Sequence, residues 1–165
     1  MSMIANFKKI SPSQLEEIKN NPSIIESIIY PETDAGSPDN EIDIGKSWEG
    51  IHFVLTGHKF DEGTAPLRNV IMGGKEIGED VGYGPARYMM PEEVRQTWES
   101  IRNFSEEDFK KNFNSEKIQK ASIYPFYDTK PNEEDLDYLL SNFKKLKEFY
   151  QSIVEKEYIM LLYVN

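Results

Sequence analysis

Trp48 and His52 stand four residues apart, a spacing that places both side chains on one face of a helix. An imidazole titrates near neutral pH and can transfer a proton, while an indole offers a flat wall against which a ligand stacks. Tyr83 and Arg87 lie further along the chain and supply a phenol and a positive charge. If the four side chains converge, they form a candidate pocket for a small anionic or polar ligand, with His52 as acid or base.

The same residues have a simpler structural interpretation. A lone histidine on an apolar helix face is usually buried and bonded to the backbone or a carboxylate. Trp48 would then be part of the hydrophobic core, and Gly82-Tyr83-Gly84-Pro85 would be a tight turn. The sequence favours this structural interpretation of His52 but leaves the pocket open as the alternative.

Familiar ligand-binding motifs fail on their spacing. Gly45-Lys46-Ser47 ends like a phosphate-binding loop, but Asn40 occupies the place of the first glycine. Gly82-Tyr83-Gly84 begins like a dinucleotide fingerprint, but Arg87 stands where the third glycine is needed for close packing. The two histidines are six residues apart and do not match the zinc-binding H-E-x-x-H pattern. Because the chain also has no cysteine, we expect neither a metal nor a cofactor.

The charge of the chain restricts its partners. Lys and Arg number 19 while Asp and Glu number 29, which gives a net charge of −10 over 165 residues. Such a field repels phosphate backbones, so we expect no nucleic-acid ligand. The segment between Lys19 and Lys46 has no base, and its six acids are Glu26, Glu32, Asp34, Asp39, Glu41 and Asp43.

The last five of these acids are candidate partner-binding residues. Most of them fall in residues 31–41, where proline, glycine and aspartate predict a loop, and loops often carry binding surfaces. Tyr30 and Trp48 flank the segment as candidate aromatic anchors. The negative charge favours a basic protein partner. The alternative is that these acids only maintain solubility.

The helices that position these residues follow from local patterns. The run from Ile44 to Leu55 has its apolar residues on one helical face and ends at Gly57, although residues 51–55 could instead form a strand. Residues 57–85 contain seven glycines and predict an irregular segment interrupted by a short helix over 66–72. Capping residues predict further helices that start at Ser11-Pro12, Asn21-Pro22, Pro91, Ser105, Asn114 and Asn132.

The predicted sheet is small, with strands over residues 3–9, 86–90 and 158–164. Because the last of these strands is apolar on both faces, we expect it to lie inside the sheet. The sequence therefore predicts one α+β domain over residues 1–165, mainly helical, with a buried C-terminal strand. No signal peptide is visible and no apolar run approaches the roughly 20 residues that span a bilayer, so we expect a cytoplasmic protein without a membrane partner.

The segment from Asp43 to Gly57 reads D-x-x-K-x-W-x-x-I-H-F-x-L-T-G. This segment resembles the bacterial YfbM-like family, catalogued as domain of unknown function 1877. Further similar segments are residues 82–88, which read GYGPARY, and Pro91-Glu92-Glu93-Val94. The resemblance covers essentially the whole chain and implies a small bacterial protein with an α+β fold. It implies no activity, and therefore no catalytic residue.

Two functions from different classes are consistent with the sequence. The first is a non-enzymatic binding module whose acidic face, from Glu32 to Asp43, binds a basic protein. The second is a small-molecule binding protein or acid–base enzyme with a pocket around Trp48 and His52. The sequence favours the first, since no motif for a metal or cofactor survives inspection.

Overall fold

The computed structural model describes residues 2–32 and 38–165. Five strands and eight α-helices lie within these ranges, together with three short 3-10 turns. The strands are β1 (Ala5–Ile10), β2 (Glu41–Asp43), β3 (Lys75–Asp80), β4 (Pro85–Met89) and β5 (Ile159–Val164). The helices are α1 (Pro12–Asn20), α2 (Ile25–Ile29), α3 (Trp48–Thr56), α4 (Asn69–Met72), α5 (Pro91–Ile101), α6 (Glu106–Asn112), α7 (Ser115–Lys120) and α8 (Glu133–Lys156).

The strands form one antiparallel sheet in the order β2-β1-β5-β4-β3. β5 lies at its centre, which confirms the internal C-terminal strand and the α+β fold predicted from the sequence. β1 pairs with β5 along its whole length, from Ala5 opposite Val164 to Ile10 opposite Ile159. The first and last strands of the chain are thus held together by long-range pairing.

Both faces of the sheet are covered, which explains why β5 is apolar throughout. Met160 and Leu162 point into the larger core, which α3, α5 and α8 share, whereas Ile159 and Leu161 point into a smaller core beneath α1 and α2. Alternate residues of a strand face opposite sides, so each face of β5 needs its own apolar set. The domain is therefore three layers deep, with the sheet in the middle.

The predicted helix starts are confirmed where a side chain caps the backbone. Ser11 and Ser105 each accept a hydrogen bond from the N–H three residues ahead, at 3.2 and 3.0 Å, within capping boxes. Asn132 caps α8, the longest helix, and Pro91 occupies the first turn of α5. These caps satisfy donors that the first helical turn leaves unpaired, and they depend only on local sequence.

Two strands were missed by the sequence prediction. Residues 57–85 were expected to be irregular, but β3 occupies Lys75–Asp80, and the helix expected over 66–72 is only Asn69–Met72. β3 has a single buried apolar residue, Ile77, and a register shift beyond it, so it lacks the alternation that predicts a strand. β2 has only three residues and follows the predicted loop, of which residues 33–37 lie outside the described residues.

The segment from Trp48 to Thr56 is a helix, so the alternative strand over 51–55 is wrong. The helix ends at Gly57, whose φ of 74° gives the left-handed conformation that favours glycine at this position. Within the part of the chain that the structure describes, no helix combines the length and the apolar character needed to cross a membrane.

Candidate functional site

Trp48 is 4% exposed and belongs to the larger core, as the structural interpretation predicted. Its indole Nε1 donates to the Met3 carbonyl at 3.2 Å, and Tyr124 accepts the Met3 N–H on its hydroxyl at 2.9 Å. The Trp48 ring also contacts Tyr124 and Phe60, with centroids 5.8 and 5.6 Å away. Trp48 therefore anchors the chain that leads into β1, and burial removes it as an exposed anchor for a partner.

His52 lies one turn beyond Trp48 on α3 and is fully buried. Its Nε2 lies 3.0 Å from the Glu62 carbonyl oxygen, which can only accept, so Nε2 carries the proton. Burial lowers the His52 pKa below its ordinary value, more strongly than the carbonyls of Glu62 and Lys59 raise it. The ring is therefore neutral at pH 7, and its Nδ1 presents a lone pair.

That Nδ1 has no hydrogen-bond partner among the described residues. A buried acceptor without a donor costs about 1–3 kcal/mol. The carbonyl oxygens of Glu62 and Lys59, which can only accept hydrogen bonds, both favour the protonated form of the His52 ring. The surroundings of the ring are thus rich in acceptors and short of donors.

Glu49 is a buried carboxyl that the sequence reasoning missed. It is 5% exposed, and the Tyr124 N–H donates to its Oε2 at 2.7 Å. Burial raises the Glu49 pKa, while the N–H groups of Tyr124 and Phe60 lower it. An acid in the first turn of a helix is usually explained by the helix dipole. The groups that act on Glu49 lie in two other loops, so no local pattern in the sequence indicated its burial.

Residues 57–63 form a strap across Trp48 and His52 of α3. The strap begins and ends at glycines with φ of 74° and 109°, and its residues between Gly57 and Gly63 are exposed. It is attached to α3 by the Glu62 carbonyl on His52 at 3.0 Å and by the Phe60 ring on Trp48. The strap thus covers an indole and an imidazole that lie on one helix face.

Arg87 serves a different part of the molecule. It projects from β4, and its guanidinium donates to the carbonyls of Gly73 and Gly74 and pairs with Glu76 at 3.3 Å. These contacts fix the connection between α4 and β3. Arg87 shares none of its contacts with His52, so the guanidinium is already engaged away from the strap.

Tyr83 is 41% exposed at the tip of the β3–β4 hairpin, and its N–H donates to the Val164 carbonyl at 3.1 Å. Tyr83 and Arg87 line one cleft of about 20 Å³, room for about one water. Trp48 and His52 do not line it. The structure therefore brings the four predicted pocket residues together as two separate pairs, and the strap covers only the pair on α3.

Asp39, Glu41 and Asp43 lie in or beside β2, at the edge of the sheet, and Glu32 follows α2 along the chain. Glu32, Asp39 and Asp43 are exposed, and Asp34 lies outside the described residues. Both oxygens of Glu41 are occupied, one by Lys8 Nζ at 3.1 Å and the other by the Tyr163 hydroxyl. Burial and the Glu41 carboxylate together raise the Tyr163 pKa. Glu41 therefore helps to hold β2 against β1 and β5.

Tyr30 is 56% exposed and marks the other end of this segment. Its hydroxyl accepts from Asn165 Nδ2, and the Asn165 Oδ1 accepts from Asn6 at 2.9 Å. The ring therefore stands in solvent while its hydroxyl is tied to the strands below. We call Tyr30 with Glu32, Asp39 and Asp43 the acidic edge.

Among residues 2–32 and 38–165, no three His, Asp or Glu side chains come together in a way that could hold a metal ion.

Comparisons with known proteins agree with this geometry in fold but add no activity. No curated protein matches the chain. A solved structure that matches is the crystal structure of YfbM from Escherichia coli, a protein of unknown function, with a TM-score of 0.75 and 18% identity. That match covers 98% of this chain and 99% of the other, and at this identity it shows the fold alone. A family model described as a domain of unknown function matches residues 1–163, and the chain therefore belongs to the DUF1877 family.

Proposed function

We propose that this protein is a non-enzymatic binding module of the bacterial cytoplasm that holds a basic protein partner against the acidic edge. The observation that carries the proposal is the exposure of Tyr30, 56%, together with the exposure of Glu32, Asp39 and Asp43. Tyrosine is enriched among the residues that dominate binding energy at protein interfaces, and exposed acids select a partner by charge.

Tyr30 and the strand β2 within the acidic edge are held in place before any partner arrives. Tyr30 is tied through Asn165 to Asn6 of β1, and β2 is tied to the sheet through Glu41, Lys8 and Tyr163. A side chain that is already fixed loses little conformational entropy on binding, typically saving about 0.5–1.5 kcal/mol for each immobilised side chain. Such pre-organisation supports a role in recognition better than a role in solubility alone.

Charge supports a basic partner. The net charge of −10 attracts cations over the whole surface, and long-range attraction accelerates association at low salt. Screening at moderate salt slows that association, because the Debye length falls to about 8 Å at 0.15 M. Binding at the acidic edge should therefore weaken as the salt concentration rises.

The test is a triple neutralisation, Glu32→Gln, Asp39→Asn and Asp43→Asn. Asparagine at position 43 keeps the side-chain oxygen that accepts the Gly45 N–H at 3.2 Å, and Glu41 is left intact because it supports the sheet. The matched control, Asp128→Asn, Asp137→Asn and Glu148→Gln, removes the same charge from exposed residues elsewhere. Affinity capture from the native host compares wild type, triple variant and control at low and moderate salt.

We expect wild type and control to capture the same basic protein, and the triple variant to lose it, with unchanged melting temperatures throughout. Tyr30→Ala should weaken capture more than Tyr30→Phe, which retains the ring. A partner that binds the triple variant as well as wild type, and is indifferent to salt, would show that the acidic edge is not the interface.

A second candidate function is a small-molecule site at Trp48 and His52. The specific observation in its favour is the unpaired Nδ1 of His52 beneath the strap. Neither side chain is open to solvent in this structure, so a ligand must displace the strap to reach them.

A further inference from the structure

A groove of about 470 Å³ lies between the end of α5 and the middle of α8. Its volume is within the range of about 300–1,000 Å³ that small-molecule sites occupy. On the α5 side it is lined by Trp98 and Arg102, which stand four residues apart on one helix face. On the α8 side its charged lining residues are Lys144, Lys147 and Glu148, which also share one face. The groove therefore combines an indole with three cations in a chain whose net charge is −10.

The two ends of the groove differ, because α5 and α8 run antiparallel. Near the start of α5, Arg95 pairs with Glu157, which follows α8, at 2.9 Å. At the end of α5, Lys147 Nζ of α8 donates to the Arg102 carbonyl at 3.4 Å. Trp98 lies one turn before Arg102, and a helical turn rises about 5.4 Å. The groove thus has a cationic end at Lys147 and an aromatic end at Trp98, about one helical turn apart.

Lys147 is a positive charge without a counter-charge. Its ammonium group donates to the carbonyl oxygens of Arg102 and Phe104, at 3.4 and 2.9 Å, and lies over the Phe143 ring. No carboxylate of residues 2–32 and 38–165 forms an ion pair with it. The side chain is half-buried, and burial lowers the Lys147 pKa, a shift that a neighbouring anion opposes. The cationic end of the groove therefore lacks an anion that would complement it.

Two neutral donors of the lining are also without a partner in the described parts of the chain. They are the Trp98 Nε1–H and the Asn103 side-chain amide. The Trp98 N–H is open to solvent, since His52 Nδ1 is the only buried side-chain polar atom of the described residues that lacks a partner. Unpaired donors beside an uncompensated ammonium group favour a negatively charged acceptor.

Three acids near the groove oppose an anion. Glu148 belongs to the lining, while Glu99 and Glu106 each pair with one of its two exposed cations, at 3.0 and 2.7 Å. All three acids are exposed, and water and salt screen exposed charges strongly. Lys147 is half-buried and has no such pair, so its charge is screened less and acts most strongly on a ligand in the groove.

We propose that this groove binds a small organic anion with an aromatic ring, whose carboxylate or phosphate accepts from Lys147 and whose ring packs against Trp98. An ammonium group has three donors, and the two backbone carbonyls leave one of them for the ligand. A short linker between charge and ring spans the single helical turn between the two ends. No residue of the acidic edge lines the groove, so this site holds or fails independently of the protein partner proposed above.

The indole N–H resonances of 15N-labelled protein report on binding directly. The chain has two tryptophans, so Trp98→Phe assigns both resonances. The probes are 3-phenylpropanoate and phenyl phosphate, which distinguish a carboxylate from a phosphate ligand. Their neutral counterparts, 3-phenylpropanamide and phenol, lack the charge, while acetate and inorganic phosphate lack the ring. Titrations are made at about 0.15 M salt, which screens the net charge of the chain.

We expect at least one of the two anions to shift the Trp98 resonance until it saturates. The Trp48 resonance should stay in place, because that N–H is bonded to the Met3 carbonyl at 3.2 Å in the core. The neutral and the ringless controls should bind at least about tenfold more weakly, since each lacks one of the two contacts. The anion that binds more tightly then identifies the acidic group of the ligand.

Lys147→Gln removes the charge at the cationic end and retains N–H donors for the backbone carbonyls. The matched control is Lys145→Gln on the same helix, where the Lys145 Nζ donates to the Asp43 carbonyl at 2.8 Å and does not line the groove. We expect Lys147→Gln to weaken binding of the better probe by about tenfold or more, and Lys145→Gln to change it by less than about twofold.

Three results overturn the proposal. The first is a Trp98 resonance that neither anion shifts at millimolar concentration. The second is equal binding of the anions and their neutral counterparts, because the groove then selects the ring and not the charge. The third is a folded Lys147→Gln variant that binds the better probe as tightly as wild type does. If Lys147→Gln does not fold, the comparison of charged and neutral probes on wild type decides the question.

Discussion

His52 makes the stability of the protein depend on pH. Burial lowers its folded pKa below 6.5, and Arg68 and His58 lower it further, so the folded state resists protonation. The unfolded chain binds a proton at the ordinary pKa, so stability is present above pH 6.5 and is lost as the pH falls through the folded pKa. The free energy of unfolding falls by up to about 1.4 kcal/mol for each pH unit in this range.

We expect urea denaturation of wild type at pH 7.5 and 5.5 to show this loss, and His52→Gln to show less of it. His58→Gln is the control, because that histidine is exposed. Glu49 acts in the opposite direction, since its raised pKa favours folding at low pH, and the comparison between variants cancels its contribution. Equal pH dependence in wild type and His52→Gln would show that another group causes the loss of stability at low pH.

The residues that the sequence did not reveal are those with distant partners. The local spacing of Trp48 and His52 predicts that they share one helix face, and the sequence favours their burial while leaving a pocket open as the alternative. The burial of Glu49 was not predicted, since its donor, the Tyr124 N–H, lies 75 positions away. The contact of Asn165 was not predicted either, since it bonds Tyr30 across 135 positions. No periodicity in one sequence records a contact of that range.

At the scale of elements, the connection from α4 to β3 depends on Gly74. Its φ is 83°, and a Cβ there would lie 2.1 Å from the Tyr88 carbonyl oxygen, a backbone atom that cannot move aside. Gly74→Ala should therefore destabilise the protein by roughly 3 kcal/mol or more, since a backbone overlap adds to the left-handed strain.

The matched control is Gly57→Ala. Gly57 has a similar φ of 74°, but no atom lies within 4 Å of a Cβ at that position. Only the left-handed conformation then opposes the substitution, at about 1–2 kcal/mol. Thermal or urea denaturation of both variants measures the difference, and equal losses would show that the contact with Tyr88 is relieved by movement.

A helix or strand could be predicted where the sequence pattern that specifies it lies in adjacent residues. Helices that begin at Ser11, Ser105 and Asn132 carry their caps in adjacent residues. β3 has no such signal, because an edge strand with one buried residue is defined by its partner β4. The C-terminal strand was predictable for the opposite reason, since burial on both faces makes every residue apolar.

At the scale of the whole molecule, β5 joins the two cores. Deletion of residues 158–165 removes the central strand, separates β1 from β4 and opens both cores, so cooperative unfolding should be abolished. Thermal melting followed by circular dichroism checks this, with size-exclusion chromatography to exclude aggregates. A truncated protein that still melts sharply near the wild-type temperature would place the stabilising contacts elsewhere.

The pairing of the first strand with the last also sets how the protein responds to force. Ala5 lies opposite Val164, and Ile4 and Asn165 exchange two backbone hydrogen bonds just beyond them. A pull applied at both ends of the chain therefore loads one rung of the β1–β5 ladder at a time. In an optical trap the protein should open at low force by unzipping from this end, whereas handles attached at residues 4 and 158 should load all six rungs in shear and require a higher force.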